Sequence, residues 1–179
     1  MLSQNIKKSI LEIKREIVDQ DEKESCGYFR PDGTHWISVN HSDVNYCSVN
    51  GYTDHLKYGK KYIFPIIWHT HPYHEKFYPS YQDIVQIFKN PDLNQSYVIT
   101  SLGVWIMSYR GSKIISEDKK AEELLLWSGL YIYKNTGNGR SINIEAIARF
   151  KRNLEKIPNF HIDFFDYQQL EKLEFSFES

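Results

Sequence analysis

Tyr62-Ile63-Phe64-Pro65-Ile66-Ile67-Trp68-His69, running on into Thr70-His71-Pro72, is the stretch whose reading decides the fold. A dense apolar run of strand length, rich in β-branched and aromatic residues, predicts a central strand buried on both faces. Pro65 has no N–H to give to a ladder and weakens that reading near the strand's start. Side chains alternate along a strand, so His69 and His71 fall on one face at its far end, where two imidazoles can grip one ion.

Downstream, Ser80-Tyr81-Gln82-Asp83 opens a helix over Ser80–Phe88: a Ser N-cap with an acid three residues later precedes Ile84, Val85 and Ile87. Strands are expected over Ser96–Thr100 and Val104–Tyr109, joined through Leu102-Gly103, with another short one up to Ile115. From Glu117, the residues Ala121, Leu124, Leu125 and Leu126 suggest a helix broken near Asn135–Gly139. Ile144, Ile147, Phe150, Leu154 and Ile157 give one side of a last helix over Asn143–Lys156. The aromatic and acidic tail Asn159–Ser179 can either pack on the body or wait for a partner.

Upstream, Ile6, Ile10, Leu11, Ile13 and Ile17 recur at helical intervals, the stripe of an amphipathic helix over Ser3–Asp19 that should lie against a sheet. Glu24–Arg30 reads as a short strand, turned by Pro31-Asp32-Gly33 into a second over His35–Asn40. Asn40–Lys61 reads as loop with some short structure. No repeat or low-complexity tract interrupts this order. Strands flanked by helices, without regular βαβ alternation, define an α+β domain built on a mixed β-sheet.

A chain of 179 residues suits one compact domain. Lys and Arg number 22 against 23 Asp and Glu, so no field draws the protein onto nucleic acid or an anionic membrane. Cys26 and Cys47 are too few for a disulfide framework and lack CxxC spacing, which makes a reducing, cytoplasmic setting the simpler reading. Met1 to Gln20 has no signal-peptide pattern, and no apolar stretch approaches the roughly 18 residues of a membrane span.

The chemistry concentrates on five residues. His69 and His71, with Asp83 arriving from the first turn of the next helix, are the candidate metal ligands. The helix N-terminus favours the ionised carboxylate that metal binding requires. Two imidazoles and one carboxylate leave one position of a tetrahedral zinc open for water, the mark of catalytic rather than structural zinc. Glu24, in a strand that pairs with the His strand, is the candidate general base. Ser80 is placed to donate a hydrogen bond to an oxyanion.

Plainer explanations stand beside each. His-x-His alone is more often surface or core histidine, Ser80 and Asp83 also form a helix cap, and Glu24 closes an acidic run with Asp21 and Glu22. Cys26 shares a strand face with Glu24 and reads first as a small buried hydrophobe. His35, His41, His55 and His161 lack ligand spacing, and Trp36, Trp68, Trp105 and Trp127 read as core. It is the combination at this spacing that favours a metal site.

Glu24, His69-Thr70-His71-Pro72 and Ser80-Tyr81-Gln82-Asp83 together resemble the signature of the JAMM, or MPN-plus, zinc metalloproteases. Glu24-Ser25-Cys26-Gly27-Tyr28-Phe29 is also similar to the Glu-x-Cys-Gly-aliphatic strand of many microbial and viral members, with aromatic Tyr28 at the aliphatic position. The likeness runs in order from about Ile6 to Tyr109. It implies an MPN domain over 1–135, one zinc ion held by His69, His71 and Asp83, Glu24 as general base and Ser80 stabilising the tetrahedral intermediate. It also implies a protein or peptide substrate, a ubiquitin or ubiquitin-like tail on lysine among them. Residues 136–179 then form a helical C-terminal extension packed on the same domain. The Pro72–Pro79 loop is one residue longer than the usual family spacing, an inexpensive change, and its His74, Glu75 and Lys76 are placed to touch substrate. A phage-type or cell-wall endopeptidase, a non-catalytic MPN interaction module and a hydrolase of non-peptide amides remain open alternatives.

Overall fold

In the computed structural model, Ile66–His71 (β5) is an inner strand of a six-stranded sheet. Residues 4–20, 23–38, 41–43, 46–47, 66–71, 77–89, 93, 95–111 and 143–172 are described. The other strands are β1 (Cys26–Phe29), β2 (His35–Ile37), β6 (Gln95–Thr100), β7 (Gly103–Tyr109) and β8 (Phe160–Asp166), in the spatial order β2-β1-β5-β6-β7-β8. β5 and β6 run parallel and every other neighbouring pair is antiparallel. The architecture is therefore α+β with a mixed sheet and flanking helices. Parallel neighbours need a crossover, and the helix α2 (Tyr81–Lys89) lies between them in sequence. A separate ribbon pairs β3 (His41–Asp43) with β4 (Tyr46–Cys47) inside the segment expected to be loop with some short structure.

The N-terminal stripe forms α1 (Gln4–Ile13), continued by one wider π turn over Lys14–Val18. Asp19 N–H reaches back to the Lys14 carbonyl at 2.9 Å, and this widening keeps Ile13 and Ile17 buried together. α1 also receives the β1–β2 turn: Asn5 Nδ2 donates to the Asp32 carbonyl at 2.6 Å and Ser9 Oγ to the Gly33 carbonyl at 2.9 Å. Gly33 takes a φ of 83°, a left-handed turn position open to glycine without a Cβ penalty.

Strand alternation sorts the core into two layers. Trp68, Phe29, Tyr97, Ile99 and Val104 pack with Ile6, Ile10, Ile13 and Ile17 on the α1 face. Val98, Trp105, Met107 and Ile162 pack on the other face with α2 and with α3 (Ile144–Leu154). Asn143 caps α3 through Oδ1, which accepts from Ala146 N–H at 3.0 Å.

The tail is where structure adds most. Phe160–Asp166 pairs with β7 along its full length and forms an edge of the sheet, followed by α4 (Tyr167–Lys172). Tyr167 Oη donates to the Thr100 carbonyl at 2.6 Å, which ties α4 to the end of β6. The segment expected as a helical extension thus contributes helix, strand and helix over 143–172, and its strand belongs to the same sheet. The alternation of buried Phe160 and Ile162 with exposed His161 and Asp163 was the available signal. The expected start of β5 at Tyr62, the strand up to Ile115 and the helix from Glu117 lie outside the described residues. No helix among the described residues is long and apolar enough to cross a membrane.

Candidate metal centre

β5 runs two residues past the end expected from its apolar run, so both histidines are strand residues and project from the α2/α3 face. Between them Thr70 points the other way and stitches β5 to β1. Ser25 N–H donates to Thr70 Oγ1 at 2.8 Å, and Thr70 N–H donates to the Ser25 carbonyl at 2.8 Å. Gly27 makes the close approach of the strands possible: a Cβ there would lie 1.7 Å from the Trp36 carbonyl oxygen and 2.8 Å from the Trp68 ring. Neither Thr70 nor Gly27 carries chemistry, and both were missed as positioning residues for that reason.

Asp83 is brought in by the start of α2. Ser80 N–H donates to Asp83 Oδ2 at 2.6 Å, and Asp83 N–H donates to Ser80 Oγ at 3.2 Å. This is a reciprocal capping arrangement. The cap and the metal-ligand explanations of these two residues coexist, because the cap aims the carboxylate. Asp83 Oδ1 lies 3.1 Å from His69 Nε2, Asp83 Oδ2 lies 3.5 Å from His71 Nε2, and the two Nε2 atoms are 3.2 Å apart.

Those three separations test whether the donors suit an ion. Ligand atoms at about 2.0–2.1 Å from zinc, set at tetrahedral angles, lie roughly 3.3–3.4 Å from one another. The two Nε2 atoms at 3.2 Å, and Asp83 Oδ1 at 3.1 Å from His69 Nε2, are close to that edge length, while the 3.5 Å contact to His71 is made by the other Asp83 oxygen; His69, His71 and Asp83 are a donor set that could hold a metal ion. The side chains are 16 %, 5 % and 15 % exposed, so the centre sits at the bottom of the surface rather than on it.

The electrostatics agree with that packing. Burial disfavours a charged His69, yet the charge and hydrogen bond of Asp83, with a contribution from the Glu24 charge, leave its pKa raised. Burial would raise Asp83, but the charges and hydrogen bonds of His69 and His71 hold it well below the usual carboxylate range. In the metal-free protein a charged His69 and an ionised Asp83 favour each other across their hydrogen bond.

Glu24 is half-buried just before β1, close enough for its charge to act on His69, and stands outside the donor triangle. Of the Pro72–Pro79 loop, residues 72–76, including His74, Glu75 and Lys76, lie outside the described residues. Phe77 and Pro79 are buried, and the Phe77 carbonyl accepts from Trp105 Nε1 at 2.9 Å. The end of the longer loop is therefore fixed to the core. Trp68 and Trp105 are core residues, as expected, while Trp36 is half-buried and stacks on Tyr28 at 4.9 Å. Trp127 lies outside the described residues.

Cys26 is buried, as expected, and is disulfide-bonded, which was not expected. Two cysteines without motif spacing gave no signal of it. Set against known proteins, the chain matches no family model, no curated protein and no solved structure.

Proposed function

We propose that this chain is a zinc-dependent metallopeptidase on an MPN-type domain, hydrolysing a peptide or isopeptide bond. The donor set of His69, His71 and Asp83, whose ligand atoms lie within 4.8 Å of one another, carries the reading. A zinc ion bound there lowers the pKa of a coordinated water toward about 7 and polarises a carbonyl oxygen.

The chain's own residues supply the rest. Glu24, whose charge acts on His69, is the group that would accept the proton of the attacking water and return it to the leaving amine. Ser80 Oγ is an acceptor toward Asp83 N–H, which leaves the hydroxyl proton to donate to the oxyanion of a tetrahedral intermediate. Asp83 orients the centre through its bond from Ser80 N–H. The amine that leaves is a backbone or lysine nitrogen, and the ubiquitin-like tail joined to lysine is the first substrate class to test.

The test measures bound zinc and cleavage of ubiquitin chains and of unrelated peptides by wild type, His69→Ala and Glu24→Gln. His69→Ala is expected to lose zinc; Glu24→Gln is expected to keep it and lose at least a hundredfold in rate, the lower end of a general base's usual contribution of roughly 10²–10⁴. Carefully purified wild type without zinc would sink the proposal, and zinc binding with no hydrolysis of any amide would turn it into a binding module.

A further inference from the structure

We propose that Tyr167 is a positioning residue for the metal ligand His71, so that the C-terminal helix α4 belongs to the framework of the centre; the inference rests on the metal reading above. His71 is the last residue of β5 and faces Thr100, the last residue of β6, in the parallel ladder. Neighbouring strands keep their backbones about 4.8 Å apart, so the place of the end of β6 decides the place of the His71 ring.

The end of the histidine strand is held from two sides. On the β1 side Thr70 exchanges hydrogen bonds with Ser25. On the β6 side the hold passes through Thr100, which is 1 % exposed. Thr100 Oγ1 donates to the Gly103 carbonyl at 2.9 Å and accepts from the N–H groups of Leu102 and Gly103, each at 3.2 Å, which fixes the β6–β7 turn. A buried carbonyl needs a donor, and at the end of β6 a side chain from another element supplies one: Tyr167 Oη donates to the Thr100 carbonyl at 2.6 Å.

Tyr167 is aimed at that carbonyl by its own surroundings. Gly103 pairs with Asp166, and a Cβ at Gly103 would lie 2.4 Å from the Phe165 carbonyl oxygen, so the start of β7 and the end of β8 approach closely and bring Tyr167 to the turn. Asp166 Oδ1 accepts from Gln169 N–H at 2.7 Å and Gln169 Oε1 accepts from Asp166 N–H at 3.1 Å, a reciprocal cap that starts α4. Leu170 is fully buried in the α1 layer. Lys7 Nζ donates to the Glu171 carbonyl at 2.6 Å and Lys14 Nζ stands 5.0 Å over the Tyr167 ring, so α4 is tied to α1 and to its π turn. Burial, with the charge of Asp19, pushes the phenol above its ordinary range, so it stays a donor through neutral and mildly alkaline pH.

The tie crosses the sheet because it ends on backbone. Val98 packs on the α2/α3 face and Thr100, two residues on, shares that face, whereas Tyr167 packs in the α1 layer. A hydroxyl of one layer thus steadies a ligand of the other. Removing it leaves both layers packed and loosens the ends of β6 and β5 together, which gives His71 more conformational freedom to lose when it binds an ion.

The experiment compares wild type with three variants. Tyr167→Phe keeps the ring under Lys14 and removes only the donor; Gln169→Ala opens the cap of α4 at an exposed position. Ile157→Val thins the core at the opposite end of the β7–β8 pair, where Phe160 faces Tyr109. Zinc is titrated against a competing chelator, denaturant melts give the stability of the metal-free proteins, and amide exchange without metal reports residues 69–71 and 98–103. Tyr167→Phe is expected to bind zinc about three- to thirtyfold more weakly, within the range over which residues outside a site modulate it, with faster exchange at both strand ends. Gln169→Ala should move the same way by less, and Ile157→Val should melt earlier while binding zinc like wild type. If Tyr167→Phe does not fold, Gln169→Ala decides, and wild-type affinity there overturns the proposal. Wild-type affinity in folded Tyr167→Phe, or an equal loss of affinity in Ile157→Val, overturns it too and leaves Tyr167 a structural tie. Wild type that binds no zinc defeats the metal reading itself, and this inference with it, a result distinct from equal affinity.

Discussion

Trp68 and His69 are adjacent in β5, yet they belong to different parts of the molecule. Trp68 is fully buried on the α1 face among Phe29, Tyr97 and Ile99, and its only polar atom, Nε1, has no hydrogen-bond partner among the described residues. His69, one residue on, is 16 % exposed in its side chain and bonds to Asp83 and His71. The difference teaches that alternation on a single strand separates stability from chemistry: one face is dry and apolar, and the other is rigid because its neighbour is. A substitution on one face should therefore move one property and leave the other.

The largest effect that would break this separation is Trp68→Ala. Emptying a buried indole site is expected to destabilise by about 3–5 kcal/mol, read by denaturant melts, while any folded fraction keeps one zinc per chain. If zinc is lost from the folded fraction, the two faces are not independent.

Asp83→Asn comes next and tests the opposite face. The amide still accepts the bond from Ser80 N–H, so α2 keeps its cap, but the anionic donor is gone. Zinc affinity is expected to fall beyond the ~10–100-fold that removal of an outer partner costs, and the metal-free protein is expected to melt lower as well, because the ion pair with His69 goes with the charge.

Thr70→Val follows. It leaves the Ser25 N–H without its partner at 2.8 Å in a buried position, an omission that costs about 1–3 kcal/mol. Because Thr70 ties β1 to β5, this substitution on the strand's other face is expected to weaken zinc binding slightly as well, and a chelator titration beside the melt measures both.

The smallest effect is that of pH on the metal-free protein. His69 has a raised folded pKa, so its contribution is complete below the unfolded value of about 6.5 and is lost as pH rises through the folded value. Asp83 has a lowered folded pKa, so its contribution is present above about 3.9 and lost as pH falls through the folded value. Melts in chelator are expected to peak between those limits. Zinc affinity should climb as pH rises through the folded value of His69, which lies above that upper limit, because the imidazole must lose its proton to bind. Affinity that is flat there would separate His69 from the donor set.

Much of this was legible in residue order. Helix and strand periods exposed α1, β5, α2 and α3, because amphipathic spacing reflects which side of an element meets the core. The His-x-His pair and the Ser-x-x-Asp start exposed the donor set, since period two and a helix cap fix side-chain direction locally. β8 was harder: Phe164 and Phe165 break the alternation of Phe160–Asp166 at the point where Phe165 turns to the α1 layer and Phe164 to the other. That Cys26 is disulfide-bonded was not legible at all, because two cysteines without motif spacing carry no local pattern.

The sequence by itself determined the chemical types and their local aim: two imidazoles on one strand face and a carboxylate at a helix start; the glutamate it placed in a separate short strand lies just before that strand, which begins at Cys26. Only the tertiary structure decided that these meet. It did so by laying β1 antiparallel to β5 with Cys26 opposite His69, and by swinging the cap of α2 to within 3.1 Å of that same imidazole. The reason is physical. Periodicity and capping act over one or two turns of chain, whereas the distance between separate elements is set by burying both faces of the sheet at once.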